Sequence, residues 1–300
     1  GQSLSVRLVL RAAGRNIITT NSTGCLEVFS SNYPRSAWQV PWIHSLFGNA
    51  ASVASGVAAA LKAQGREDIR VVAQGGDGGT IDIGMGSLSG MFDRNDDVLF
   101  ICYDNEAYMN TGVQRSAATP PAARTNTTQA VGPHPGNEFG QGKHMPSIAM
   151  AHGIPYVATA TVDDLWDLEA KVRTAMSMRG ARYLQILVPC PLGWGSESRE
   201  TILMARLAVE SGLYPVFEAR DGEVVSVTPI RRKVPVTDYF RRQRRYAHLF
   251  SDPPETDVIE KLQAIADRNI TRFGLLPDED EPALEAPGPD ATGSHEAGGR

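Results

Sequence analysis

Two short apolar runs, each stopping at glycine or acid, constrain this chain more than any other feature. Ile69 to Ala73 (IRVVA) is β-branched and halts before Gly75-Gly76, as a buried parallel strand does where it meets its crossover loop. Val98 to Tyr103 (VLFICY) delivers Asp104 and Asn105 to the same edge, the edge at which open α/β sheets receive ligands. Asp77 and Asn105 stand 28 residues apart, room for one helix and one strand. Gly76, Gly78 and Gly79 flank Asp77 and let backbone N–H groups come close to an anion, while a helix starting near Ile81 aims its positive end at the same point. Magnesium takes about six oxygens, of which one or two come from protein side chains. Asp77, Asn105 and one main-chain carbonyl would supply the protein's share of a magnesium and diphosphate clamp. Gly-Asp-Gly alone is a common turn; the second strand ending in Asn gives it meaning.

The rest of the chain reads as α/β. An apolar-periodic segment at Leu4 to Ala13 precedes a strand at Asn16 to Thr20, and helix and strand alternate as far as Val188. Asn49 to Ala63, rich in Ala and Gly, reads as a closely packing helix. Thr161 is placed to cap a helix from Val162 to about Arg179, and Tyr183 to Val188 returns as a strand. The fold class that follows is a doubly wound, mostly parallel sheet over residues 1–212. After Gly212 the chain changes character: VFEARDGEVVSV suggests two strands turning at Asp221-Gly222, followed by a basic run from Arg231 to Arg245 that reads as a solvated or subunit-packing face. Residues 213–276 are therefore expected to form a C-terminal packing extension. Residues 277–300 are acidic, rich in Pro and Gly, and expected to be a disordered tail.

With 42% hydrophobic residues and a net charge of −5, the chain can bury a large core and carries no basic footprint for nucleic acid. Its longest weakly polar run, Ala50 to Leu61, is too short and too rich in Ser and Gly to span a bilayer, so a cytoplasmic protein is expected, with no membrane partner.

Three cysteines differ in context. Cys102 lies mid-strand and reads as a small buried hydrophobe. Cys25, in the turn NSTGCLEV, and Cys190, in VPCPLGW, both fall at strand ends, yet neither spacing matches a zinc site or a contiguous ferredoxin run. Trp38 and Trp42 read as core aromatics, and His44 as either a pocket or a packing residue. His134, His144 and His152 lack the spacing of a helical metal site. The long segment Thr111 to Met145 reads as a cofactor-side or interface loop, in which Arg115 is placed to meet an anion or solvent.

The stretch Gly75 to Gly112 resembles the thiamine diphosphate (ThDP) motif. More narrowly, DNEAYMNTGVQRS at Asp104 to Ser116 resembles the β subunit of pyruvate:ferredoxin oxidoreductase and related 2-oxoacid:ferredoxin oxidoreductases. The similarity runs from Gly1 to about Leu249 and implies the ThDP-binding fold. It implies that Asp77, Asn105 and the carbonyl of Ala107 hold magnesium. Gly76, Gly78, Gly79, Tyr108 and Cys25 then lie around ThDP, with Asn110 as the catalytic residue near its reacting part. The family's 4Fe-4S cluster takes an N-terminal CxxC, a cysteine in a TGC turn and one in a PC segment; Cys25 and Cys190 match the last two. Gly1 falls where the family's CxxCG reaches its glycine, so the natural protein is expected to extend further; a cluster-free relative is the alternative. Gln2 stands where some members place a glutamate. The resemblance implies oxidative decarboxylation of a 2-oxoacid, with coenzyme A taking the acyl group and ferredoxin the electrons. It also implies an α subunit that brings the cofactor's glutamate partner, with γ and δ subunits beside it. A non-oxidative ThDP decarboxylase or synthase would share the clamp without a use for Cys25 and Cys190, and a non-catalytic relative would keep the fold alone.

Overall fold

A computed structural model of the chain describes residues 1–32, 34 and 36–277. Ten strands are present among them: β1 Ile17–Ser22, β2 Trp42–Ser45, β3 Arg70–Gly76, β4 Val98–Asp104, β5 Ala130–Val131, β6 His134–Pro135, β7 Tyr156–Thr161, β8 Arg182–Leu187, β9 Phe217–Arg220 and β10 Glu223–Val227. The helices are α1 Gln2–Ala13, α2 Cys25–Ser30, α3 Ala50–Ala63, α4 Met85–Asp93, α5 Met145–Ala151, α6 Leu165–Ser177, α7 Pro191–Trp194, α8 Thr201–Glu210, α9 Val236–Phe240 and α10 Thr256–Phe273.

Eight strands form one sheet in the order β10-β9-β7-β8-β4-β3-β1-β2. From β7 to β2 every pairing is parallel, so these strands end at a common edge. Strand β4 is central and buried at all seven positions, which explains its unbroken apolar run. Its neighbour β3 alternates: Val71 and Ala73 face α3, α4 and α5, while Val72 faces α1 and α6. Each face thus has its own apolar layer, and the doubly wound expectation holds.

Several elements differ from the sequence reading. Strand β7 continues through Thr161, so α6 starts later and its cap is Asp164, whose carboxylate accepts the N–H groups of Trp166 (3.1 Å) and Asp167 (2.9 Å). The helix expected near Ile81 begins immediately after Asp77, as a single π-helical turn over Gly78–Asp82 that leads into α4. Cys25 does not lie in a turn but heads α2. The two strands beyond Gly212 join the main sheet, β9 pairing antiparallel to β7. Their connection is Asp221-Gly222, both with positive φ (49° and 90°), as a type I′ hairpin turn requires. The long loop carries only the small β5–β6 hairpin. Except for Pro277, the tail expected to be disordered lies outside the described residues.

Candidate metal and diphosphate site

Strands β3 and β4 are adjacent and in register, Gly75 opposite Cys102 and Gly76 opposite Tyr103, so both sequence clusters leave the sheet at one point. Asp77 has helical backbone angles and opens the π turn. A Cβ on Gly78 would stand 2.5 Å from the Tyr108 ring, so glycine here admits that ring. The Tyr108 hydroxyl donates to Asp82 Oδ2 (3.1 Å), bracing the turn from outside.

The carboxylate of Asp77 is buried and held from two sides. Its Oδ2 accepts the Ser116 hydroxyl (2.5 Å), and its Oδ1 accepts the Asn105 N–H (3.3 Å). The side-chain oxygen of Asn105 faces the Ala107 carbonyl at 2.9 Å and Asp77 Oδ1 at 3.1 Å. Three acceptors facing one another need either the amide turned to present its NH2 or a cation between them. In an octahedron with bonds of about 2.1 Å, neighbouring ligand oxygens lie about 3.0 Å apart, which both separations approach. The donor set, one carboxylate, one amide oxygen and one carbonyl, suits a hard divalent ion.

Electrostatics point the same way. Burial pushes the Asp77 carboxyl up to about 7, opposed by its hydrogen bonds from Ser116 and Asn105. Asp104 is raised well above the usual carboxylate range by burial and by the charges of Asp77 and Glu106. Glu106 is raised as well, burial outweighing its partner Arg245. Asp104 and Glu106 are engaged by Gln185 and Arg245, so of the three only Asp77 belongs to the candidate donor set, where a bound cation would favour its charged form.

Hydroxyls and an amide surround the glycine turn. Ser22 Oγ, Thr80 Oγ1 and both side-chain polar atoms of Asn21 are buried without a partner. A Cβ on Gly75 would lie 2.9 Å from Thr80 Oγ1 and 3.6 Å from Ser22 Oγ. Unpaired buried hydroxyls beside free helix N–H groups suit an anion such as a diphosphate.

Behind the site, Trp194 Nε1 donates to the Asn105 carbonyl (2.9 Å), and Arg245 reaches Glu106 Oε2 (2.5 Å). Gln185 Nε2 donates to Asp104 Oδ2 (2.6 Å) and receives the Tyr183 hydroxyl on its own oxygen (2.9 Å). Sequence reading missed Ser22, Thr80, Ser116, Trp194 and Arg245. Ser22 carried a readable signal, at the end of the first strand three residues before Cys25.

The two cysteines converge on the same edge. Cys25 is raised to about 11, chiefly by burial and then by Cys190 and Asp77, with a backbone hydrogen bond from Asn110 opposing. Asn110 is exposed beside it. Gly1 packs on the strand end that leads to Cys190; a Cβ there would lie 2.7 Å from the Pro189 carbonyl. Among the described residues no group of three or more His, Cys, Asp or Glu collects to hold a metal. Cys25 and Cys190 are both free and partly buried. His44 closes a stack with Trp42 and Trp38 and lies 2.8 Å from Thr23 Oγ1. Arg115 covers the Phe139 ring (4.9 Å).

Fold and site together define a thiamine pyrophosphate-binding domain, and residues 22–186 match the family described as thiamine pyrophosphate enzyme, C-terminal TPP binding domain. The pyruvate synthase subunit PorB of Methanosarcina barkeri is 49% identical over 274 residues, 91% of this chain and 92% of that protein. The ketoisovalerate oxidoreductase subunit VorB of Pyrococcus abyssi is 38% identical over 268 residues, 87% of this chain and 85% of that protein. A solved 2-oxoglutarate:ferredoxin oxidoreductase from Magnetococcus marinus superposes with a TM-score of 0.53 at 26% identity, over 63% of this chain and 62% of that one, a little under two thirds of either. The chain belongs to the β subunits of the 2-oxoacid:ferredoxin oxidoreductases. No helix among the described residues is long and apolar enough to cross a membrane.

Proposed function

We propose that this chain binds ThDP and one magnesium ion as the β subunit of a cytoplasmic pyruvate:ferredoxin oxidoreductase. Pyruvate is favoured because the relative named for it is 49% identical, against 38% for the one named for ketoisovalerate. The observation that carries the metal reading is the convergence of the Asp77 carboxylate, the Asn105 side-chain amide and the Ala107 carbonyl, at 2.9 and 3.1 Å, which matches an octahedral edge when the amide presents its oxygen to an ion. Asp77, Asn105 and the Ala107 carbonyl hold the ion, and Ser116 fixes the carboxylate's orientation. Backbone N–H groups of Gly76, Gly78 and Gly79, with the Ser22 and Thr80 hydroxyls, take the diphosphate oxygens. Tyr108 shapes that turn, and Asn110 stands by Cys25 to orient the 2-oxoacid.

When bound, ThDP supplies the electron sink that lets a 2-oxoacid lose carbon dioxide. Cys25 and Cys190 would supply two thiolates to a 4Fe-4S cluster, whose chemistry would be one-electron transfer toward ferredoxin, and coenzyme A would take the acyl group. The α subunit completes the reactive end, with γ and δ subunits in the same complex. Calorimetry with magnesium and ThDP tests the site: wild-type chain binds both, and Asp77→Ala loses at least tenfold. Equal affinity in the two proteins would sink the assignment.

A further inference from the structure

We infer that Glu106, gripped by Arg245, is a positioning residue that sets Asn105 and the Ala107 carbonyl at the spacing a divalent ion needs. The inference rests on the magnesium reading of the site. Glu106 lies between the two ligands with φ 65°, a left-handed conformation that costs a non-glycine residue about 1 kcal/mol. That reversal turns the chain so that the Ala107 carbonyl comes to 2.9 Å from the Asn105 side chain. Glycine would adopt it freely; here a long acidic side chain does, and each of its polar groups is engaged. Its N–H donates to Asp104 Oδ1 (2.9 Å), its carbonyl accepts the Thr119 hydroxyl (2.7 Å), and its carboxylate takes Arg245 (2.5 Å).

Arg245 is rigid in turn. It is buried, its Nε donates to Gln243 Oε1 (2.8 Å), and its guanidinium carbon sits over the Trp194 ring, 4.2 Å from the centroid. The same indole donates to the Asn105 carbonyl (2.9 Å). This pair therefore fixes the ligand loop at two successive residues. A buried ion pair stabilises little beyond what apolar packing would provide. What the pair adds is direction: a planar guanidinium locks the carboxylate, and with it the strained turn.

The test uses the assembled complex stripped of metal and cofactor and compares Glu106→Asp, Arg245→Lys and Glu106→Gln with Asp77→Ala. The first two keep the local charge and lose the geometry. Paramagnetic resonance with Mn2+ reads affinity and coordination symmetry, and melting of the metal-free complex reads folding. We expect Glu106→Asp and Arg245→Lys to weaken Mn2+ about tenfold or more and to broaden the spectrum, and the Mg2+ concentration for half-maximal activity to rise more than kcat falls. Wild-type affinity and spectrum in Glu106→Asp, or an effect confined to Glu106→Gln, would overturn the positioning role, because charge alone would then suffice. If Arg245→Lys does not fold, Glu106→Asp decides. An Asp77→Ala protein that still binds Mn2+ normally would instead remove the magnesium reading itself.

Discussion

Asn105 and Asp77 stand at the ends of neighbouring parallel strands with their side-chain oxygens 3.1 Å apart, and the Ala107 carbonyl closes the group at 2.9 Å. Without an ion the Asn105 amide can turn its NH2 to both acceptors, and with one its oxygen joins theirs as a ligand. Asp77→Asn removes one charge at constant shape. The variant is expected to bind magnesium about tenfold more weakly, and its metal-free melting temperature should equal or exceed that of wild type, since a buried charge is gone. Magnesium should raise the melting point of wild type and leave the variant unmoved, which calorimetric scanning reads directly.

Gly78 is glycine for its neighbour's sake. Its φ is not positive, so alanine would otherwise suit this helical position. The obstacle is the Tyr108 ring, 2.5 Å from where a Cβ would be. Gly78→Ala should cost about 1–3 kcal/mol, the usual range for overpacking. In a Tyr108→Ala background the same change should cost less than about 0.5 kcal/mol, and a double-mutant cycle in denaturant measures the difference.

The meeting of Asp77 and Asn105 was legible because each is tied to a strand that announces itself by composition and stops at a polar residue. The sheet was legible for the same reason: β4 is apolar at nearly every position because both its faces are covered. Helix α6 was misplaced because Thr161 and Asp164 are both capping residues, and only the length of β7 decides between them. Arg245 was not legible. It reaches Glu106 across 139 residues from within a basic run whose other members face solvent or surface acids, and no local pattern marks one arginine of six for burial. Ser116 escaped notice similarly, its contact with Asp77 being a matter of how the long loop folds back.

His144 gives the metal-free chain a pH dependence. Its ring stacks on Phe217 and lies tilted against Phe273, and Nδ1 accepts the Ser147 N–H to cap α5. Desolvation by the surrounding groups and the nearby Arg272 lower its pKa, to about 4, while the part of the residue open to water screens the effect on stability. A folded value below the unfolded one means that stability is fully present above about pH 6.5 and is lost as pH falls from there toward 4. His144→Asn keeps a capping acceptor and removes the titration. The drop in melting temperature between pH 7.5 and pH 4.5 should shrink by a few degrees in the variant, roughly the effect of 1 kcal/mol in a domain of this size. An unchanged drop would assign the acid sensitivity elsewhere.

On the proposed function, Cys25 and Cys190 would separate electron exit from cofactor binding. They are close enough for the Cys190 charge to raise the Cys25 thiol, and Asp77 contributes as well, so thiols and metal-side carboxylate share one edge. The proposed diphosphate end, however, is built on the π turn and the Asp104–Ala107 loop, whereas Cys25 heads α2 and Cys190 caps α7. Cys25→Ser and Cys190→Ser in the full complex should each lower iron content and the absorbance near 400 nm, and ferredoxin reduction should fall by at least a hundredfold. Magnesium and ThDP affinity should stay within about twofold of wild type, because a serine at either position leaves the oxygens of Asp77, Asn105 and Ala107 in place. Iron analysis beside calorimetry on the same preparations distinguishes this from a non-oxidative ThDP enzyme, in which both substitutions would leave iron and turnover untouched.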